Sequence, residues 1–247
     1  NYVSIASVAY DGFLLIMKKN NKDVKTVENE EVKEFYERHK LGAICQVMGK
    51  KHVKANNKYM KDGYDNKKES NFILYIDANA LYAWAMTQKL PNKILGKENI
   101  SMDEIRNLKD DGKYGYTVCC DLSFPKEFHD KFNGYVPAPV RRAIDKKEIS
   151  DYQKEILKAN GIENKDKSEK VILDLIEKKE YIVDFRLLKL YEKMGVKVDK
   201  IHYGYKYEMD YVIKDYIEMN TKKRAKSKNA FYSAFYKLIN NIIYGKM

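Results

Sequence analysis

Asp77 stands where an apolar run, residues 72–76, gives way to Leu81, Trp84, Ala85 and Gln88 at helical spacing. Backbone N–H groups at a helix start are unsatisfied and suit an anion such as phosphate. A carboxylate beside them suits a divalent cation that carries a phosphate chain. An aspartate ahead of a helix is also an ordinary N-cap, and spacing alone leaves both readings open. A second set lies near the far end of the sequence. Lys237, Asn241 and Tyr244 recur at i, i+4 and i+7 on one helix face. Between Asn220 and Met247 there are seven basic residues and no acid. Such a line suits phosphates, and a solvated helix face has the same pattern. Asp121 is another acid at a strand end, with a plain surface aspartate as the alternative.

The elements that must position these groups follow from local pattern. Residues 72–76 (Phe-Ile-Leu-Tyr-Ile) have the β-branched and aromatic composition of a strand buried on both faces. The helix after Asp77 is expected to stop by Pro91. Residues 114–122 read as a strand introduced by an Asp110-Asp111-Gly112 turn, adjacent to the 72–76 strand. Residues 206–247 read as two helices with a turn near 227–229. Val212, Tyr216 and Met219 form the apolar stripe of the first, and Phe231, Ala234, Phe235, Leu238 and Ile242 that of the second. Ahead of the central stretch, residues 3–10 alternate, and 28–40 form a polar, helix-like segment. Residues 49–68 carry seven lysines against Asp62 and Asp65 and read as a basic loop. Between 125 and 200 the pattern is least regular, with helix-like pieces at 150–159 and 180–193.

The 247 residues suffice for one large domain or two small ones, and 44% hydrophobic content can build a core. A net charge of +11 favours an acidic partner, nucleic acid above all. A lysine-rich composition from an AT-biased genome gives the same total, so the acid-free run after Asn220 is the more telling feature. Three cysteines, one at Cys45 and an adjacent pair at Cys119 and Cys120, make no disulfide framework, and no C-x-x-C occurs. The four histidines are scattered, which argues against zinc. A reducing compartment, nucleus or cytoplasm, fits this usage. No apolar run reaches membrane-spanning length, so no membrane partner is expected. The first residue is Asn1, which suggests a piece of a longer polypeptide.

Asp77-Ala78-Asn79-Ala80-Leu81-Tyr82 resembles the D-x-x-S-L-Y-P palm motif of family B DNA polymerases. The longer string through Pro91 looks like the version in protein-primed polymerases of Maverick/Polinton elements and their viral relatives. Lys237 to Gly245 resembles the finger motif K-x-x-x-N-S-x-Y-G, with Ile242 in place of its serine. Further likeness runs through 124–127, 152–155 and 200–202. Leu41-Gly42-Ala43-Ile44 sits where the family has a Y-x-G-G element, here without its tyrosine and second glycine.

The resemblance implies an α+β fold: a partial family B palm with a terminal-protein-region-type insertion and a two-helix fingers unit. Its divisions would be 1–70 (link from the exonuclease region), 71–124 (palm), 125–205 (insertion and return to palm) and 206–247 (fingers). It implies DNA-directed DNA polymerisation with two Mg²⁺ ions, or Mn²⁺ in their place. DNA template-primer and dNTPs would be the partners, with a terminal protein as a possible primer. Asp77 would be catalytic and, with the Ala78 carbonyl, hold metal. Asn79, Ala80, Leu81, Tyr82, Arg224, Lys237 and Asn241 would bind the nucleotide, with Tyr82 under the sugar. Tyr244, Gly245, Lys246, Lys226 and Lys228 would meet DNA, and Asp121 is a secondary candidate acid. No D-x-E or D-x-D occurs in these residues, so proofreading is not assigned and the third palm motif is absent. Two other classes stay open: a catalytically inert nucleic-acid-binding remnant of a mobile-element or viral polymerase, and a metal-dependent nuclease built on Asp77. A D-x-D in the coding sequence beyond Met247 would distinguish polymerase from remnant.

Overall fold

A computed structural model describes residues 4–23, 25–41, 44, 53–162 and 169–245 of the chain. Gly42, Ala43, Cys45, the start of the basic loop at 49–52, and Lys246 lie outside the described residues. The centre of the fold is β2, Tyr114–Ser123, whose inner residues are buried on both faces. Tyr114, Tyr116, Thr117 and Val118 give its first half strand-favouring side chains, and the turn before it closes with Gly112 N–H donating to Lys109 O at 3.0 Å. Three further strands complete an antiparallel sheet: β1 (Leu90–Glu98), β5 (Lys178–Asp184) and β6 (Lys197–Asp210), in the order β1-β6-β2-β5. A separate hairpin pairs β3 (Val140–Arg142) with β4 (Lys170–Ile172).

Each face of the sheet has its own cover. Tyr116, Val118, Cys120 and Leu122 of β2 pack with Phe185, Leu188 and Tyr191 of α7 (Phe185–Met194) and Ile105 of α4 (Met102–Asn107). Asp184 caps α7 through Arg186 N–H, and Gly195 ends it in the left-handed region at φ 109°. A Cβ on Gly195 would sit 2.7 Å from the Phe128 ring, so both backbone and space demand glycine there. On the opposite face Cys119, Ile182 and Tyr205 meet Val32 and Phe35 of α2 (Glu30–His39). Asn29 caps α2, and Glu30 and Glu31 in the first turn complement its dipole.

At the Leu90 end of the sheet a helical cluster forms. It contains α1 (Ile5–Lys19), α3 (Leu81–Met86), α8 (Lys214–Lys226) and α9 (Ala230–Ile242). Phe13, Met17, Ala83, Met86, Val212, Ile213, Tyr216, Ile217 and Ile243 form its buried apolar cluster. Burying each large side chain contributes about 1.5–3 kcal/mol. Two short helices, α5 (His129–Phe132) and α6 (Asp151–Ala159), complete the set, and α6 buries no residue.

Several expectations need correction. Residues 72–76 form no strand and join no sheet among the described residues; their side chains are 63–91% exposed. β2 therefore pairs with β5 and β6, not with that run. Residues 5–10, read as alternating, are helical, with Ser4 as the extended N-cap; Ala9, Phe13 and Met17 recur at helical spacing as the buried face, and Phe13 meets the Tyr216 ring. The segment 180–193 splits into strand and helix at Asp184, whose side chain caps α7. Residues 206–210, assigned to a helix, complete β6. Pro91 lies inside β1 and does not end α3, which stops at Met86. Of the apolar stripe expected on α9, Phe231 (70% exposed), Ala234 and Leu238 face outward and Phe235 and Ile242 are half-buried; the buried residues are Ile239, Asn240 and Ile243.

Candidate nucleotide and nucleic-acid interface

The chain enters α3 through Ala80 at φ 52°, a conformation unusual for a residue with a Cβ. This sharp entry places no side-chain cap on the first turn of α3. Asp77 is therefore not an N-cap. It lies three residues earlier with Ala78 in exposed, irregular backbone, and the turn residue Asn79 is exposed as well. Ala83 and Met86 turn inward, and Leu81, Tyr82 and Trp84 point outward. The Tyr82 ring meets the Tyr244 ring at 4.6 Å between centroids, tilted by 49°. That separation is in the range of attractive aromatic pairs. Both tyrosines stay more than half exposed, at 51% and 59%. The two sequence motifs, far apart in the chain, thus share one open aromatic surface.

The basic residues gather on the helical pair beside it. Arg224, Lys226, Lys228, Lys237 and Asn241 are exposed, and these four cations make no ion pair among the described residues. Lys222 has a 4.0 Å contact to Glu218, and Lys223 lies 5.9 Å over the Tyr236 ring. Lys223, Arg224 and Lys226 occupy the last turn of α8, where helix carbonyls favour cations. Asn229 caps α9 by accepting from Phe231 N–H at 2.8 Å. A Cβ on Gly245 would meet nothing within 4 Å, so the fold itself does not require glycine there. Among the described residues, no group of three or more His, Cys, Asp or Glu is arranged to hold a metal ion. Asp77 and the Ala78 carbonyl do not by themselves make a two-metal cage.

Asp121 lies elsewhere. It pairs with Lys200 on β6, whereas Leu90, beside α3, pairs with Asp210. The ten residue steps from Lys200 to Asp210 place it about 30 Å along the strand from the Leu90 end. There it accepts hydrogen bonds from His202 Nε2 at 2.8 Å, Glu180 N–H at 2.9 Å and Lys179 Nζ at 3.4 Å. These bonds, the His202 one foremost, hold its carboxyl down at about 2. Glu180, which donates one of these bonds, has a φ of 49°. Asp121 is a structural acid and is remote from Asp77's helix.

Two polar groupings escaped the sequence reading. Asn220 and Asn240 are buried amides that bond each other between α8 and α9. Their signal was available, since Asn220 follows Tyr216 by four residues on the inward face. Lys178, Asp174, Arg142 and Glu148 form a charged network under the β3–β4 hairpin. No local pattern joins residues that lie so far apart in sequence.

In fold the chain is similar to Phi29 DNA polymerase. It matches the orthorhombic crystal form with a TM-score of 0.54 at 16% identity, over 100% of this chain and 36% of that one. It matches the complex with primer-template DNA (post-translocation binary complex) with a TM-score of 0.54 at 18% identity, over 100% and 36%. The chain thus spans about a third of the length of these solved structures. No family model and no curated protein matches the sequence.

Proposed function

We propose that this chain is a palm-and-fingers portion of a protein-primed family B DNA polymerase, of the Maverick/Polinton type, that binds a deoxynucleoside triphosphate and primer-template DNA. The observation that carries the reading is the Tyr82–Tyr244 pair, which joins the two polymerase-like motifs on one exposed surface. The likeness in fold to Phi29 DNA polymerase supports it. On the helical pair that leads to Tyr244, Arg224 and Lys237 offer positive charge to the β- and γ-phosphates. Lys226 and Lys228 extend that charge toward a DNA backbone. Gly245, with open space around it, leaves room for a template strand. The 125–205 segment, with its β3–β4 hairpin, is the place for a terminal-protein or primer-duplex contact. Asp77 is one carboxylate of a metal site whose other acid comes from outside the described residues. Any Mg²⁺ bound by the chain alone arrives with the nucleotide. The second reading is a binding-only remnant of such a polymerase.

Isothermal titration with Mg²⁺·dATP and anisotropy of a labelled primer-template test the proposal. Both ligands should bind, and Tyr82→Ala should weaken dATP about tenfold while leaving DNA affinity within twofold. A chain that binds DNA but no nucleotide would favour the remnant. A chain that binds neither would defeat both readings.

A further inference from the structure

The helical pair loses its packing toward the cationic end. Residues 221–226 of α8 are all exposed, and 230–232 of α9 are exposed as well. The last buried contact before that end is polar. Asn220 is 1% exposed and Asn240 6%. Asn220 Nδ2 donates to Asn240 Oδ1 at 3.0 Å. Asn240 Nδ2 donates to Ile217 O at 3.4 Å and Thr221 Oγ1 at 3.3 Å. Apolar side chains at these positions would hold the helices together at least as well but would require no particular partner. A buried amide is satisfied only where its partner is, so such a pair fixes register at a cost in adhesion. Asn220 faces Asn240, and Lys223 lies over Tyr236. Arg224, one turn beyond Asn220, is thereby set level with Lys237, one turn before Asn240.

We infer that the Asn220–Asn240 pair is a register clasp, a pair of positioning residues that holds Arg224 and Lys237 at one level to receive the triphosphate of a nucleotide. This rests on the nucleotide-binding reading of the same helices. A slip of one helical turn would displace the two cations by about 5 Å relative to each other. That is enough to break their joint contact with one phosphate chain. The clasp touches neither nucleotide nor DNA and acts only through the cations that it aligns.

The test compares the 247-residue chain with Asn240→Leu and with the double variant Asn220→Leu/Asn240→Leu. The single variant leaves a buried amide unpaired and should lower the melting temperature by about 5 °C. The double variant should restore it, because a matched apolar pair replaces a matched polar one. If the clasp sets register, the double variant should still bind Mg²⁺·dATP about tenfold more weakly, with primer-template affinity unchanged. Nitroxides on Lys222→Cys and Leu238→Cys, in a Cys45→Ser background, report register directly through continuous-wave dipolar broadening. The broadening should change in the double variant. Unchanged broadening, or changed broadening with unaltered dATP affinity, would overturn the inference. Absence of dATP binding by the unmodified chain would instead overturn the nucleotide reading on which it rests.

Discussion

The Tyr82 and Tyr244 rings meet at a tilt, yet each keeps more than half its surface in solvent. An aromatic pair that serves packing alone is normally buried, because its stabilisation comes mostly from area removed from water. An open pair offers a flat surface to a sugar and base. If the Tyr82 ring lies under the sugar, removing it should relax discrimination against a 2′-hydroxyl. Tyr82→Ala is therefore expected to bring the dATP and ATP dissociation constants together, as read by calorimetric titration with each. An unchanged ratio would place the sugar elsewhere. Asp121 makes a different kind of claim. Its folded carboxyl titrates at about 2, depressed first by the His202 hydrogen bond and then by Glu180 N–H. In the unfolded chain it would titrate near 3.9. The folded pKa is the lower one, so the stabilisation is present in full above pH ~4 and is lost as pH falls toward 2. Asp121→Asn should lack that acid-side loss. Urea midpoints of the two proteins should differ at pH 5 and converge by about pH 2.

The β3–β4 hairpin is anchored by charge. Asp174 accepts from Arg142 Nη2 at 3.0 Å and from Lys178, and the Arg142 guanidinium also reaches Glu148. Lys178 is only 5% exposed. Asp174→Asn would leave that ammonium buried without its counter-charge, at a cost of about 3 kcal/mol. Urea unfolding should show the loss, and a variant within 0.5 kcal/mol would mean that Lys178 finds water or another partner. The elements differ in how far they could be read from sequence. β2 was legible because its introducing turn and its strand-favouring composition are both local. The Ser227–Asn229 break between α8 and α9 was legible for the same reason. β6 carried a legible alternation at Ile201, Tyr203, Tyr205, Tyr207 and Met209, and its last residues were nevertheless assigned to a helix. Residues 72–76 misled for a physical reason. Their composition matches a doubly buried strand, but burial depends on a covering surface that no local pattern encodes. The outward stripe of α9 misled likewise, since a buried amide determines which face turns in.

At the scale of the whole molecule, sheet and helical pair make a platform with excess positive charge at one end. Primer-template binding should be salt-sensitive and largely independent of sequence, since each phosphate contact releases counterions. Neutralising Lys222, Lys223, Arg224, Lys226 and Lys228 together should reduce the slope of log Kobs against log salt by up to about 4. An unchanged slope would put DNA on another face. Turnover is a separate matter from binding. Two-metal transfer needs carboxylates that hold two dications about 3.5–4 Å apart. Among the described residues Asp77 belongs to no group of three or more His, Cys, Asp or Glu that could hold a metal ion, and Asp121 is at the far end of the sheet. A nucleotide-borne ion can still lodge, because the triphosphate and nearby cations supply most of its surroundings. An ion that lowers the pKa of a primer hydroxyl has no cage. Losing stabilisation of that kind typically costs about a hundredfold or more in rate. The 247-residue chain is therefore expected to bind nucleotide and DNA without extending a primer. A primer-extension assay with Mg²⁺ or Mn²⁺, beside an Asp77→Asn control, checks this. Extension that the control abolishes would show that a second carboxylate from within these residues reaches Asp77 once nucleotide is bound, and the exposed backbone from Asp77 to Ala80 would then be the segment that moves to meet it.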